Sequence, residues 1–378
     1  MSDPRLTPLA ATLPSTVPFV GPETQERARG RPFAARLGAN ESGFGPSPAA
    51  QQAVAAAVAD MWKYGDPESH DLRAALATHH GVAAEAIVVG EGIDGLLGTL
   101  VRLFAGPADN VVTSRGAYPT FNYHVAGFGG TLHTVPYKDD HEDLDALVAR
   151  AGETGAKLVY LANPDNPMGS WHPAERIAAA LDALPAGSLL VLDEAYADFA
   201  PPGAIPPLNT DDRRVLRLRT FSKAHGLAGM RVGYALGHPD LITAFHKVRN
   251  HFGVSRLSQV AALASLADTD HLAGTLAQVA RARDAIAALA AENGLRALPS
   301  ATNFVAVDCG ADGAFARAVL EELTARDVFV RMPGVPPLDR CIRISAAPEA
   351  ELAHLARILP DALAAARARK PASEITKA

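Results

Sequence analysis

Residues 219–234 read Arg-Thr-Phe-Ser-Lys-Ala-His-Gly-Leu-Ala-Gly-Met-Arg-Val-Gly-Tyr, and they follow the largely apolar run 215–218, Val-Leu-Arg-Leu. Such a run reads as a short buried strand. Gly226 and Gly229 then mark a tight loop where backbone comes close to another group. Lys223 stands between strand and loop. A solvated lysine is the ordinary outcome after a strand, but a buried amine has a depressed pKa and becomes a usable nucleophile near neutral pH. An amine placed this way can hold a carbonyl cofactor as a Schiff base. A hydroxyl before it and Arg231 eight residues after it can hold that cofactor's phosphate.

The rest of the chain agrees with a buried site on a large α/β protein. At 378 residues it has room for one large domain and a smaller one. Hydrophobic residues make up 48% and charged residues 20%, as in ordinary globular proteins. The formal net charge of -6 and a pI near 6.1 give no reason to expect a nucleic-acid or acidic-membrane partner. Cys309 and Cys341 are too few for a disulfide framework or a metal cluster, and reduced thiols in a cytoplasmic protein are the expectation. The proline-containing N-terminus carries no long apolar core and reads as an extended arm, and residues 370–378 read as a frayed tail.

Short apolar runs at 87–89, 111–113, 158–161, 189–192, 215–218 and 232–236 alternate with Ala-rich helical stretches. That alternation predicts a mostly parallel sheet between helices. Beyond about residue 250 a long helical stretch leads to strand-like segments at 303–307, 328–331 and 341–345. These predict a smaller α+β domain completed by the N-terminal region. The expected division is residues 1–40 as an arm contributing to the small domain, 41–250 as the large domain and 251–378 as the small one.

Unusual residues follow the strands, where open α/β sheets bind ligands. Gly90-Glu91-Gly92-Ile93-Asp94-Gly95 follows the first run and precedes a helix expected at 96–104, so its free amides suit a phosphate. Tyr118-Pro119-Thr120-Phe121 supplies two aromatic rings. Asn163-Pro164-Asp165-Asn166-Pro167-Met168-Gly169 is a tight loop fixed by two prolines and a glycine. Asp193-Glu194-Ala195-Tyr196 ends another run. An acid there could cap a helix or bind metal, but the motif lacks His or Cys, and no metal is expected. Arg343 interrupts the apolar strand 341–345, a costly place for an unpaired charge. Arg331 ends the run 328–331.

These motifs, in this order over roughly residues 36–346, resemble the pyridoxal-phosphate (PLP) enzymes of the aspartate aminotransferase fold type, most closely the histidinol-phosphate aminotransferase-like subfamily. The resemblance implies PLP transferase fold type I, with a mostly parallel seven-stranded sheet in the large domain and a smaller α+β domain. It implies Lys223 as the catalytic Schiff-base lysine. It implies a phosphate site made by the amides of Gly92, Ile93 and Asp94 with Thr220, Ser222 and Arg231. Phe121 is the first choice to stack on the pyridine ring and Tyr118 the second. Asn166 and Tyr196 would meet the phenolic oxygen, and Asp193 the pyridine nitrogen, while Glu194 points elsewhere. Arg343 would grip the substrate carboxylate or phosphate, and Arg331 would assist it.

Asn40, in Ala39-Asn40-Glu41-Ser42-Gly43-Phe44-Gly45-Pro46, matches a substrate-side segment in which Ser42-Gly43 stands for Asn-Pro. Tyr64 matches a tyrosine that reaches the neighbouring subunit's cofactor phosphate, which implies a homodimer with shared sites. Gly65 stands where that segment has proline. The implied reaction moves an amino group from an amino acid or histidinol phosphate to a 2-oxo acid such as 2-oxoglutarate. An aromatic amino acid aminotransferase remains open, as does a decarboxylase, lyase or oxidase of the same fold. The expected partners are small molecules, with no nucleic acid and no membrane.

Overall fold

Alternation within the short strands decides the layering. Leu158, Tyr160 and Ala162 face one side of their strand, and Val159 and Leu161 the other. Both sides are apolar, so helices must cover both faces of the sheet. A computed structural model describes residues 5–15 and 20–369 of the chain and shows this arrangement. The expected tail at 370–378 lies outside the described residues.

The strands in chain order are β1 (Ala35–Arg36), β2 (Ile87–Gly90), β3 (Asn110–Ser114), β4 (Thr131–Val135), β5 (Leu158–Ala162), β6 (Leu189–Asp193), β7 (Val215–Thr220), β8 (Gly233–Gly237), β9 (Arg296–Ala297), β10 (Phe304–Asp308), β11 (Val328–Phe329) and β12 (Cys341–Ser345). Seven of them form one sheet in the order β2-β8-β7-β6-β5-β3-β4. From β7 to β4 every pair is parallel, and β8 runs antiparallel to both neighbours. The helix Gly92–Phe104 packs on one face beside Leu158, Tyr160 and Leu216. The helices Leu144–Thr154 and Ala174–Asp182 cover the other face beside Val159 and Leu190.

The strand β4 was not among the expected runs. Its sequence Thr-Leu-His-Thr-Val is at the sheet edge and largely accessible, so it lacks the continuous apolar signal of a buried strand.

A second core contains β9, β10 and β12 in one antiparallel sheet and β1 paired in parallel with β11. The N-terminal region thus completes the smaller unit through Ala35 and Arg36. The helix Arg256–Ala267 still packs with the large sheet, through Ala261 and Ala262 against Leu72, Leu76 and Ile87. The change of core falls along the helix Thr269–Glu292, whose Ile286 and Ala290 enter the smaller unit.

The arm is not wholly extended. Pro8–Thr12 and Pro22–Arg29 are helical, because both prolines take the first helical turn, where a missing N–H costs nothing. Among the described residues no helix is long and apolar enough to cross a membrane.

Candidate active site

The carboxyl ends of β2, β5, β6 and β7 meet the smaller unit at a cavity of about 310 Å³. The strands β6 and β7 deliver a polar group as their runs end. The fifth residue of β6 is Asp193, the last of β7 is Thr220, and Lys223 lies three residues further on. A larger groove of about 810 Å³ between the helices Thr269–Glu292 and Glu349–Ala368 is mostly lined by alanine and other apolar side chains.

Lys223 lines the smaller cavity, and its Nζ donates to the Asn40 carbonyl oxygen at 3.1 Å. Burial pushes its amine down to about 8, helped by the cationic Arg343 and Arg231 and opposed by Glu41 and Asp193. Asp193 is 5% exposed. Its Oδ2 accepts from the Tyr160 hydroxyl at 2.7 Å and its Oδ1 from the Ala195 amide at 3.0 Å. Burial pushes its carboxyl up to about 6, Glu194 adds to the rise, and those two hydrogen bonds oppose it. At pH 8 Asp193 is therefore ionised while Lys223 is partly neutral.

On one side of Lys223 the chain builds a cationic cradle. The Thr220 hydroxyl donates to Ser222 Oγ at 3.0 Å and accepts from the Ser222 amide at 3.0 Å. Arg231 reaches Ser222 Oγ through Nη1 at 3.4 Å. The helix Gly92–Phe104 begins opposite them, four residues earlier than expected, and brings Ile93 and Asp94 to the cavity. Gly92 has φ +76°, the left-handed region that favours glycine, and the Arg231 guanidinium lies close against its Cα. Asp94 Oδ1 pairs with His124 Nε2 at 2.7 Å.

The opposite side is built by the smaller unit. Arg343 on β12 donates through Nη1 to Asn166 Oδ1, and its guanidinium carbon lies 5.0 Å from the Phe304 ring centre. Burial pushes this guanidinium down to about 10. Among the described residues its buried Nε has no hydrogen-bond partner. Arg331 pairs with Arg343 through backbone, and its Nη2 donates to the Val20 carbonyl at 2.7 Å. Asn40, with φ 55°, donates through Nδ2 to the Tyr196 hydroxyl at 3.0 Å and holds the Ser345 hydroxyl through its own amide at 3.0 Å. Burial raises the Tyr196 hydroxyl pKa above its ordinary value.

The structure therefore brings Lys223, Asp193, Asn166, Tyr196, Thr220, Ser222 and Arg231 to one cavity. Ile93, Asp94, Asn40, Arg331 and Arg343 line the same space. Phe121 does not join them. It has no exposure and stacks on Tyr160 with ring centres 4.6 Å apart, inside the core. Tyr118 lines the cavity instead. It is the residue just before the helix Pro119–Gly127, whereas Phe121 lies in the first turn and turns inward. Tyr64 lies outside this cavity, 77% exposed, with its ring 4.7 Å from that of Phe252. Glu194 does point elsewhere, into a buried ion pair with Arg217 at 2.6 Å and Arg219 at 2.9 Å.

Two contributors escaped sequence reasoning. Tyr160 lines the cavity and orients Asp193, and its signal was a lone tyrosine inside an aliphatic strand. His124 holds Asp94 from the helix Pro119–Gly127 and left no recognisable motif.

The sequence profile of aminotransferase class I and II matches residues 35–359. This chain belongs to the class I and II aminotransferases. A crystal structure of histidinol-phosphate aminotransferase from Sinorhizobium meliloti in complex with pyridoxal-5'-phosphate is 57% identical, with a TM-score of 0.93 over 95% of this chain and 98% of that one. A histidinol-phosphate aminotransferase of Roseiflexus castenholzii is 37% identical over 90% of this chain and 93% of its own length. An aromatic amino acid aminotransferase of Thermobifida fusca is also 37% identical, over 74% of this chain and 78% of its own length.

Proposed function

We propose that the chain is a PLP-dependent aminotransferase of the histidinol-phosphate type, passing an amino group from histidinol phosphate to a 2-oxo acid, 2-oxoglutarate being the expected acceptor. The observation that carries the reading is the common cavity. A depressed-pKa amine, a buried carboxylate, a phosphate-sized cradle and two arginines face one another there. The residues fit PLP. The cradle of Thr220, Ser222, Arg231 and the amides of Gly92, Ile93 and Asp94 suits a dianionic phosphate. Lys223 lies where an aldehyde carbon could be held, and Asp193 is the buried acid suited to the ring nitrogen.

When bound, PLP supplies an electron sink for the carbanion left by loss of the donor's α-proton. The protein does the rest. Ionised Asp193 would hold the ring nitrogen's proton. Asn166 and Tyr196 would meet the phenolic oxygen, and Tyr118 would lie against the ring. Lys223 Nζ takes the donor's α-proton and later returns it, which an amine with a pKa near 8 can do at neutral pH. Arg343, with Arg331 and the segment at Asn40, grips the anionic group of donor and acceptor in turn.

Met61, Trp62, Tyr64 and Phe252 are exposed large apolar side chains, and the Tyr64 and Phe252 rings lie 4.7 Å apart on an apolar surface. It supports a homodimer in which Tyr64 reaches the partner's phosphate site, and cytoplasmic residence is part of the same reading. An active monomer in sedimentation at assay concentration would remove the shared site. The 37% identity to an aromatic amino acid aminotransferase keeps phenylalanine and tyrosine as a second donor class. A coupled screen of histidinol phosphate, phenylalanine and tyrosine with 2-oxoglutarate decides between them. Turnover with none of these donors overturns the reading.

A further inference from the structure

Four cationic side chains, Lys223, Arg231, Arg331 and Arg343, line the cavity, and they account for the anionic parts of a donor. The cavity also holds three acids. Asp193 is tied to Tyr160 and Ala195, and Asp94 to His124. Glu41 is different. It lines the cavity and is exposed, and among the described residues its carboxylate makes no hydrogen bond or ion pair. Its position is nevertheless fixed by backbone, because Asn40 before it is clamped to Tyr196 and Ser345, and Asn303 Nδ2 donates to the Glu41 carbonyl at 3.4 Å. Its field also reaches Lys223.

We propose that Glu41 is a donor-selecting residue whose carboxylate accepts from the ring N–H of an imidazole-bearing donor and so favours it over a phenyl-bearing one. An ionised carboxylate only accepts hydrogen bonds. A phenyl ring offers it none and strips part of its water, whereas an imidazole N–H satisfies it, and an imidazolium adds charge. The inference rests on the aminotransferase reading above, and it names the part of the donor that the arginines do not read.

The test uses the PLP-loaded protein and unreactive donor mimics in calorimetric titrations. An imidazolylpropyl phosphate ester is compared with its phenylpropyl counterpart, and imidazolepropionate with phenylpropionate. Partial exposure of Glu41 limits the expected preference for imidazole to about tenfold. Glu41→Gln should remove that preference, and Glu41→Asp should restore part of it. The other charged groups facing the ligand, namely Lys223, Asp193, Asp94 and the three arginines, are unchanged by Glu41→Gln, so they cancel when the variant's ratio is compared with the wild type's. An imidazole titrates near pH 6.5, so the wild-type ratio should rise between pH 8 and pH 6. Glu41→Gln should flatten or reverse that rise, because the cations left in the cavity disfavour an imidazolium, a change that a merely structural role would not cause. Equal weakening of both mimics, or an unchanged ratio, overturns the assignment. An imidazole preference that depends on Glu41 among the propionates, with neither phosphate ester bound, would keep Glu41 and refute the phosphate-bearing donor.

Discussion

Asp193→Asn removes one buried charge and leaves the shape almost unchanged. In the native chain Oδ1 accepts from the Ala195 amide at 3.0 Å and Oδ2 from the Tyr160 hydroxyl at 2.7 Å. An asparagine can keep the first bond and donate to the tyrosine oxygen through its amide, so the fold and the bound PLP should survive. The charge is what disappears. The native carboxyl, pushed up only to about 6, is fully ionised at pH 8. Facing a protonated ring nitrogen, a unit-charge pair near 4 Å in an environment of effective dielectric about 20 interacts by roughly 4 kcal/mol. Losing it from the transition state costs about three decades in rate, at about 1.4 kcal/mol per decade. The assay is a single-turnover half-reaction with the preferred donor at pH 8, followed by stopped-flow absorbance, with PLP content measured on the same sample. A variant that keeps PLP and reacts within tenfold of the native rate would refute the argument that Asp193 holds the ring proton.

Capture of PLP by cofactor-free protein should accelerate through about pH 8, because the Lys223 amine is pushed down from 10.5 to about 8; a midpoint near 10.5, or a borohydride-fixed label on Lys63, Lys157 or Lys247, would remove Lys223 from the role. Glu194→Gln should lower unfolding free energy by about 3–5 kcal/mol in urea titrations at fixed PLP, because it strands the buried Arg217 and the partly buried Arg219 without their counter-charge; a loss below about 1 kcal/mol contradicts that pairing. Arg343→Lys should slow both half-reactions by about a hundredfold, since lysine cannot reproduce a forked contact. Arg331→Ala should damage the histidinol-phosphate half-reaction far more than that of phenylalanine, and equal damage would favour the aromatic donor.

The large sheet was legible because its strands are buried on both faces. Continuous apolar runs such as 158–161 and 189–192 leave no ambiguity of face, and each leads into the cavity, the first through Ala162 and Asn166 and the second through Asp193. The accessible edge strand β4 and the two-residue strands β1 and β9 have no such signal, since their pairing is decided by distant partners. The helical turns at Pro8 and Pro22 show the same limit: proline marks either an extended arm or a helix start, and only the surrounding packing decides.

At the site, motifs fixed which segments converge, while single-residue orientation depended on local register. Tyr118 and Phe121 are three residues apart around one helix start, so one faces the cavity and the other the core. Sequence spacing alone cannot choose between them, because the choice depends on where the helix begins. Tyr160 illustrates a different gap. Its hydroxyl meets Asp193 across neighbouring strands, at a register in which Tyr160 pairs with Val191 and Ala162 with Asp193. The contact is diagonal in the sheet, within reach of a long aromatic side chain but without any local trace in sequence. The charge logic of the cavity is equally non-local. Lys223 owes its lowered pKa first to burial and then to Arg343, an arginine contributed by the other unit 120 positions later. A site assembled from two units can therefore tune its nucleophile only once both have folded against each other.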